Sequence, residues 1–383
     1  MTLSASPRHV AVTALGTEVH IEVGGGRADA FADDLPRAWS RCGARRADDA
    51  GDRRVRVVVD DDPAVIDDAA AHGAIAGPDA AVVGHQVALA VTLQAIEANE
   101  GALVMLRAAA VADPDTGRCV VLVGPAGSGR STAARTLGRH FGYVTDDIVA
   151  LTAALDVLPY PKPLASTDDP ALGLHSPDDL GLREAPGDLR PAAVLLLERH
   201  TEGFVPPVLT ELPTAEAIAH LSGHASYLRS LDNPLHRLAA LVEEVGAVHR
   251  VDYREADDLV AVTQQLLNHP PTVDSEPGPA PEPTVVELLG PGADDGGERV
   301  RRAEFVDFHV SDGVGCVMLG ETVVAVSLLA TRILTLLGEG SATLDQLAEA
   351  LLVEFGEPDS GDARTLVETH VDDLFQVGVL TRV

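Results

Sequence analysis

Aromatic residues are scarce in this chain: 3% of 383 residues, with Trp39 the one tryptophan. Rings at that density cannot fill a core, so Ala, Val and Leu must do so. The 46% hydrophobic content suffices for two or three domains. Positive charge is also scarce. Lys and Arg number 28 against 59 Asp and Glu, a formal net charge of -31. That balance argues against nonspecific nucleic-acid or anionic-membrane binding, while leaving room for a local basic pocket. Lysine is almost missing, with Lys162 standing alone among arginines, a bias typical of GC-rich coding. Cys42, Cys119 and Cys316 lie far apart without metal-ligand spacing and read as small core residues in a reducing compartment. No stretch reads as a signal peptide or a bilayer-spanning apolar run, so a soluble, cytoplasmic protein is expected.

What is present centres on residues 118–132. Val120 to Val123 reads as a buried parallel strand, Gly124 to Gly129 as a glycine-rich turn, and Ala133 to Leu137 as helix. Strand, G-x-x-x-x-G, basic residue, Ser-Thr and helix form the pattern of a phosphate-binding loop. Glycines let backbone N–H groups converge on phosphate oxygens, and the helix start adds partial positive charge. The nucleotide-binding candidates are Gly124, Gly127, Ser128, Gly129, Arg130, Ser131 and Thr132, with the Ser131 hydroxyl placed for Mg²⁺. Arg130 stands where this pattern usually has lysine; it keeps the charge on a bulkier planar group. The plainer alternative is a glycine turn without function.

The chain before the loop reads as a small α/β lead-in over 1–100. Its strands centre on Val19, Ile21, Val23 and on Arg54 to Val59, with a helix over Gly84 to Glu100. Leu103 to Val111 reads as a strand, and Asp113 to Gly117 as a hairpin turn. Behind the loop, Asp146 and Asp147 end a short apolar segment. One acid there can serve Mg²⁺ and the other can take a proton from an attacking hydroxyl; a solvated turn is the alternative. Lys162 lies among Pro159, Pro161 and Pro163, which impose an extended segment. It reads equally as a cation for phosphates and as a surface lysine. Residues 165–190 read as a long loop. Ala192 to Leu197 and Val248 to Val251 read as strands, and Pro213 to Leu221, Pro234 to Val245 and Glu255 to Leu267 as helices. A Pro/Gly-rich linker is expected over 268–298. Residues 299–383 read as a separate α+β domain of three strands, three helices and a closing strand, winged-helix-like, with a capping box at Thr343 and Gln346.

The middle of the chain, the domain expected over 101–267, resembles the HPr kinase/phosphorylase superfamily; the likeness covers roughly residues 100–265, and residues 1–100 more weakly. The resemblance rests on Gly124 to Thr132, Thr145-Asp146-Asp147 and Pro159 to Leu164, in that order. It implies an α/β P-loop kinase domain that moves a phosphoryl group from ATP to a serine-type hydroxyl. Asp146 is then the catalytic base, and Asp147 and Ser131 are the Mg²⁺ contacts. Arg107 in Leu106-Arg107-Ala108 replaces a histidine often found there; it is always protonated and so can clamp a phosphate but not act as a base. Residues 299–383 resemble the PqqD-like peptide-recognition module, through Val323 to Leu329, Ile333 to Leu337, Gly340 to Leu347, and Leu374 with Gly378 to Leu380. Such modules take a leader peptide as an added strand, here at Thr322, Val323, Val324, Ala325 and Val326, beside the helix Asp362 to Val377. The acidic third helix (Glu368, Asp372, Asp373) argues against a DNA-reading winged helix.

Together these readings lead us to expect a kinase acting on a ribosomally made precursor peptide, using ATP and Mg²⁺, with Asp146, Arg130, Lys162 and Arg107 at the reaction centre. The expected partners are the leader peptide, other enzymes of a peptide-modification pathway and a second copy of the chain, but neither nucleic acid nor membrane. Arg130 and Arg107 also motivate an alternative, a nucleotide-binding escort protein with weak chemistry. A small-molecule kinase with an acquired interaction domain is a third reading.

Overall fold

A computed structural model describes residues 7–49, 51–165, 173–203, 206–268, 298–358 and 361–383. It is a mixed α/β fold with several sheets and ten α-helices among the described residues. The chain divides into two compact units. The first holds the chain to Glu211, with His224–Leu231 and the segment from Val248. The second holds Leu212–Gly223, Asp232–Ala247 and the C-terminal part ending at Val383.

The first unit opens with strands β1 (Arg8–Ala14) and β2 (Thr17–Gly24), helix α1 (Ala28–Ala38), β3 (Arg45–Ala47), β4 (Arg54–Val59), α2 (Pro63–Ala71) and β5 (Ile75–Gly77). The sheet runs β3-β1-β2-β4-β5. Alternation sets its inner face: Val19, Ile21 and Val23, and Val55, Val57 and Val59, are buried. Helix α3 (Ala80–Ala98) is capped by Asp79, whose side chain accepts from the N–H groups of Ala81 and Val82. Val83, Val87, Val91 and Ala95 form its buried stripe against this sheet, around a fully buried Trp39. Contrary to expectation, α3 has the length and apolarity to cross a membrane: 19 residues with mean hydropathy 1.3. Its buried stripe packs the core, while Val82, Leu89 and Leu93 are exposed.

The larger sheet of this unit follows. Its first elements are β6 (Val104–Ala112), β7 (Arg118–Val123), α4 (Arg130–Gly138), β8 (Gly142–Thr145) and β9 (Ile148–Leu151). Two-residue strands come next: β10 (Val157–Leu158), β11 (Leu164–Ala165), β12 (Leu174–His175) and β13 (Arg183–Glu184). Then come β14 (Arg190–Arg199) and β15 (Val208–Glu211). The chain passes to the second unit for α5 (Thr214–Ser222) and returns for β16 (Ala225–Ser226). It passes again for α6 (Pro234–Glu244) and returns for β17 (Val248–Tyr253) and α7 (Asp258–Asn268). The sheet order is β10-β9-β6-β7-β14-β17-β15, with β7, β14 and β17 parallel. Strands β7 and β14 are nearly continuous apolar runs because both faces are covered. Residues of α4 and α7 share their core cluster.

One irregularity matters for function. Strand β8 pairs with β6 as Ala112 with Gly142 and Val111 with Tyr143, then Ala110 with Thr145, so Val144 is an extra residue. The same edge of β6 continues with Arg107 opposite Ile148 of β9. The bulge thus precedes the pair Asp146-Asp147.

The second unit contains α5, α6, β18 (Arg299–Arg302), β19 (Asp307–Ser311), β20 (Val314–Leu319), β21 (Thr322–Val326), α8 (Leu328–Leu337), β22 (Ser341–Thr343), α9 (Leu344–Phe355), α10 (Ala363–Gln376) and β23 (Leu380–Arg382). Its sheets are β19-β20-β21 and β22-β18-β23. Helix starts follow their caps: Ser327 for α8, the Thr343–Gln346 capping box for α9, and Asp362 for α10. The short strands β18 and β22 were not foreseen, since three or four residues carry no periodicity. Residues 269–297 of the expected linker, and part of the loop expected over 165–190, lie outside the described residues.

Helices α5 and α6, which the sequence reading assigned to the middle region, pack on the C-terminal sheet: α5 on β20 and β21, α6 on β19. The Leu235 N–H of α6 donates to the Asp307 carboxylate at 2.9 Å, and the Cys316 thiol lies 3.2 Å from the Ala215 carbonyl oxygen. All three cysteines are free and buried, and burial pushes Cys42 and Cys119 up to about 12. A fragment starting at Glu298 lacks α5 and α6. It is expected to give poorly dispersed amide resonances and a broad thermal transition; a sharply folded fragment would show that α5 and α6 are dispensable.

Candidate functional site

The glycine-rich loop joins β7 to α4 at the C-terminal end of the parallel strands. Gly127 and Gly129 have φ of 87° and 86°, the left-handed region that favours glycine. A β-carbon on Gly129 would also lie 2.7 Å from the Tyr253 hydroxyl, and one on Gly124 would lie 2.5 Å from Ser128 Oγ. Tyr253 Oη donates to the Ser128 carbonyl oxygen at 2.6 Å and pins the loop to β17. Helix α4 starts at Arg130 without a side-chain cap. The N–H groups of its first turn, on Arg130, Ser131 and Thr132, therefore have no helical acceptor. Ser131 and Thr132 are exposed. Ser128 Oγ is buried and has no hydrogen-bond partner among the described residues.

Asp146 and Asp147 lie between β8 and β9, on the β6 side of the loop strand. The Asp147 carbonyl oxygen accepts from Ala108 N–H at 3.0 Å, which fixes this turn to the strand neighbouring β7. Two donors meet at one oxygen of Asp146: Lys162 Nζ at 3.2 Å and Tyr143 Oη at 3.2 Å from Oδ1. Lys162 Nζ is also 3.9 Å from Asp147 Oδ2. The Lys162 side chain is 15% exposed, so it is no surface lysine. Burial lowers its pKa, but Asp146 and Asp147 outweigh that and leave the amine above its ordinary value. Burial, reinforced by the Asp146 charge, likewise raises the Tyr143 hydroxyl well above the usual tyrosine range.

The proline-rich segment holds Lys162 in place. Tyr160 N–H donates to the Val144 carbonyl at 3.1 Å, and Lys162 N–H to the Tyr160 carbonyl at 2.9 Å. The Tyr160 ring is buried, and its hydroxyl bonds Thr92 Oγ1 of α3 at 2.8 Å. The lead-in region thereby reaches the site. Arg107, exposed on β6, and Arg130 complete the cluster. The Arg130 guanidinium donates to the Arg107 carbonyl oxygen. Burial and the Arg107 charge pull the Arg130 pKa down, opposed by Asp147 and Asp146. Three cations and two carboxylates thus gather beside the loop in a chain of charge -31.

Sequence reasoning missed Tyr143, Tyr253 and Thr92. On a regular strand Tyr143 and Asp146, three apart, face opposite ways. The extra residue Val144 reverses that parity and brings them together. No local signal marks Tyr253 or Thr92, whose partners are far along the chain.

The peptide-edge candidates Thr322 to Val326 form β21, an outer strand of its sheet. Helix α5 packs on β21, and helix α10, expected beside that strand, packs on α9, α8 and β23. No cluster of three His, Cys, Asp or Glu side chains among the described residues could hold a metal alone. No family model matches the chain, and no curated protein matches it.

Lys162→Met leaves Asp146 buried and uncompensated, and is expected to lower stability by about 3 kcal/mol in denaturant titration. Because the folded amine has the higher pKa, the wild-type contribution is full below the ordinary lysine value and fades as pH rises through the elevated one. The gap between wild type and Lys162→Met should narrow there; a pH-independent gap would contradict the ion pair.

Proposed function

We propose that the first unit is a P-loop kinase domain of the HPr kinase type, and that the second contains a PqqD-like module that holds a precursor peptide by its leader. On this reading the protein is cytoplasmic and transfers a phosphoryl group from ATP to a peptide hydroxyl. The observation that carries the reading is the convergence of Asp146, Asp147, Lys162, Arg130 and Arg107 beside a glycine-rich loop whose helix starts uncapped. The left-handed glycines and the open first turn of α4 suit a phosphate chain.

Each group has a role in that chemistry. Asp146 takes the proton from the acceptor hydroxyl as its oxygen bonds to the γ-phosphorus and the β–γ bridging bond breaks. Lys162 and Tyr143 hold Asp146 through Oδ1, so the carboxylate cannot rotate freely. The raised pKa of Lys162 keeps its amine charged, making it a charge stabiliser rather than a base. Arg107 and Arg130 neutralise phosphate oxygens. A magnesium ion on Ser131 and Asp147 would add further charge neutralisation. Strand β21 offers its outer backbone groups to the leader.

A second reading, a nucleotide-binding escort protein of low turnover, is favoured by one observation. The Arg130 guanidinium is half-buried and tied to the Arg107 carbonyl, where a lysine would extend freely.

Incubation with labelled ATP and a candidate precursor peptide separates the two. The kinase reading expects phosphopeptide, and a fall of at least about a hundredfold for Asp146→Asn with nucleotide affinity retained. Binding of nucleotide and peptide without transfer, indifferent to Asp146→Asn, would select the escort reading.

A further inference from the structure

The flank of the loop opposite the carboxylates carries charged groups that no role above uses. Strand β7 has β6 on one side and β14 on the other. Asp146, Asp147 and Arg107 belong to the β6 side. Arg199 ends β14, opposite Tyr253 of β17 in the parallel ladder. Its side chain runs along the loop: a β-carbon built on Gly129 would lie 3.3 Å from Arg199 Cδ. Arg199 Nε donates to the Arg254 carbonyl oxygen at 3.1 Å. Its terminal Nη2 is 3.7 Å from a Glu255 oxygen, too long for a hydrogen bond, and the two side chains are 38% and 60% exposed. Arg254 Nε is 3.6 Å from the other Glu255 oxygen. One planar cation, oriented by its hydrogen bond to the Arg254 carbonyl, and one loosely paired carboxylate thus stand at the C-terminal ends of parallel strands, where such sheets bind ligands.

The geometry points to Arg199 and Glu255 as the subsite for the nucleoside half of the ligand, an inference that rests on the nucleotide reading above. A triphosphate with its transferred end at Asp146 lies across the loop N–H groups, so its nucleoside leaves on the β14 side. There the guanidinium plane of Arg199 stacks on the base, and Glu255 accepts from ribose hydroxyls, as acidic residues do in nucleotide folds. The loop supplies affinity for phosphates, and this pair supplies preference for a nucleotide over a bare polyphosphate.

Calorimetric titration of the full chain with ATP and with inorganic tripolyphosphate, each with Mg²⁺, tests this. Arg199→Ala is expected to weaken ATP about tenfold, the usual cost of losing one stacked base, and to leave tripolyphosphate within about twofold. Arg199→Lys keeps the charge and loses the plane, so it should behave like the alanine variant toward ATP. Glu255→Gln should weaken ATP alone, and carries the test if an Arg199 variant fails to fold. Equal losses for both ligands, or none for ATP, would overturn the subsite while leaving the loop reading intact. A wild-type chain that binds neither ligand would overturn the loop reading and the subsite with it.

Discussion

A buried ion pair organises the larger sheet's open end. Asp146 and Lys162 are both withdrawn from water, and neither could be left there alone without a cost of several kcal/mol. Everything around them is arranged to keep them together. The bulge at Val144 turns the aspartate inward, the prolines extend the lysine segment, and Tyr160 nails that segment to Thr92 of α3. The lead-in region thus contributes to the site through packing, with no charged residue of its own paired to Asp146 or Lys162 among the described residues. Its sheet and α3 form a core cluster that includes Ile148, Ala150 and Tyr160.

The loop obeys a different constraint. Its glycines are required where the backbone turns left-handed and where Tyr253 and Ser128 crowd it. The hydroxyl of Tyr253 fixes the loop from β17, so the loop shape is set before any ligand arrives. Such preorganisation lowers the cost of binding. With the acids on the β6 side and Arg199 on the β14 side, the loop has two chemically different flanks.

Much of the fold was legible because local signals agreed with it. The apolar run before Gly124, the alternation at Val19, Ile21 and Val23, and the capping box at Thr343 each appear as read. Of the candidate site, the residue types and their order along the chain were legible. What was hidden depended on parity or on distance. Tyr143 reaches Asp146 only because a strand carries one extra residue, and Tyr160 meets Thr92 across a long sequence separation. The grouping of α5 and α6 with the C-terminal sheet was hidden for the same reason. Each is an ordinary amphipathic helix, and nothing in its own sequence says which sheet it covers.

That grouping has a consequence for synthesis. The apolar faces of α5 and α6 leave the ribosome before β19, β20 and β21 exist. At ~5–20 residues per second the wait is several seconds or more, long compared with helix formation or collapse. During that interval the nascent chain presents two uncovered apolar stripes, which stay unsheltered until the strands ending at Val326 have been made.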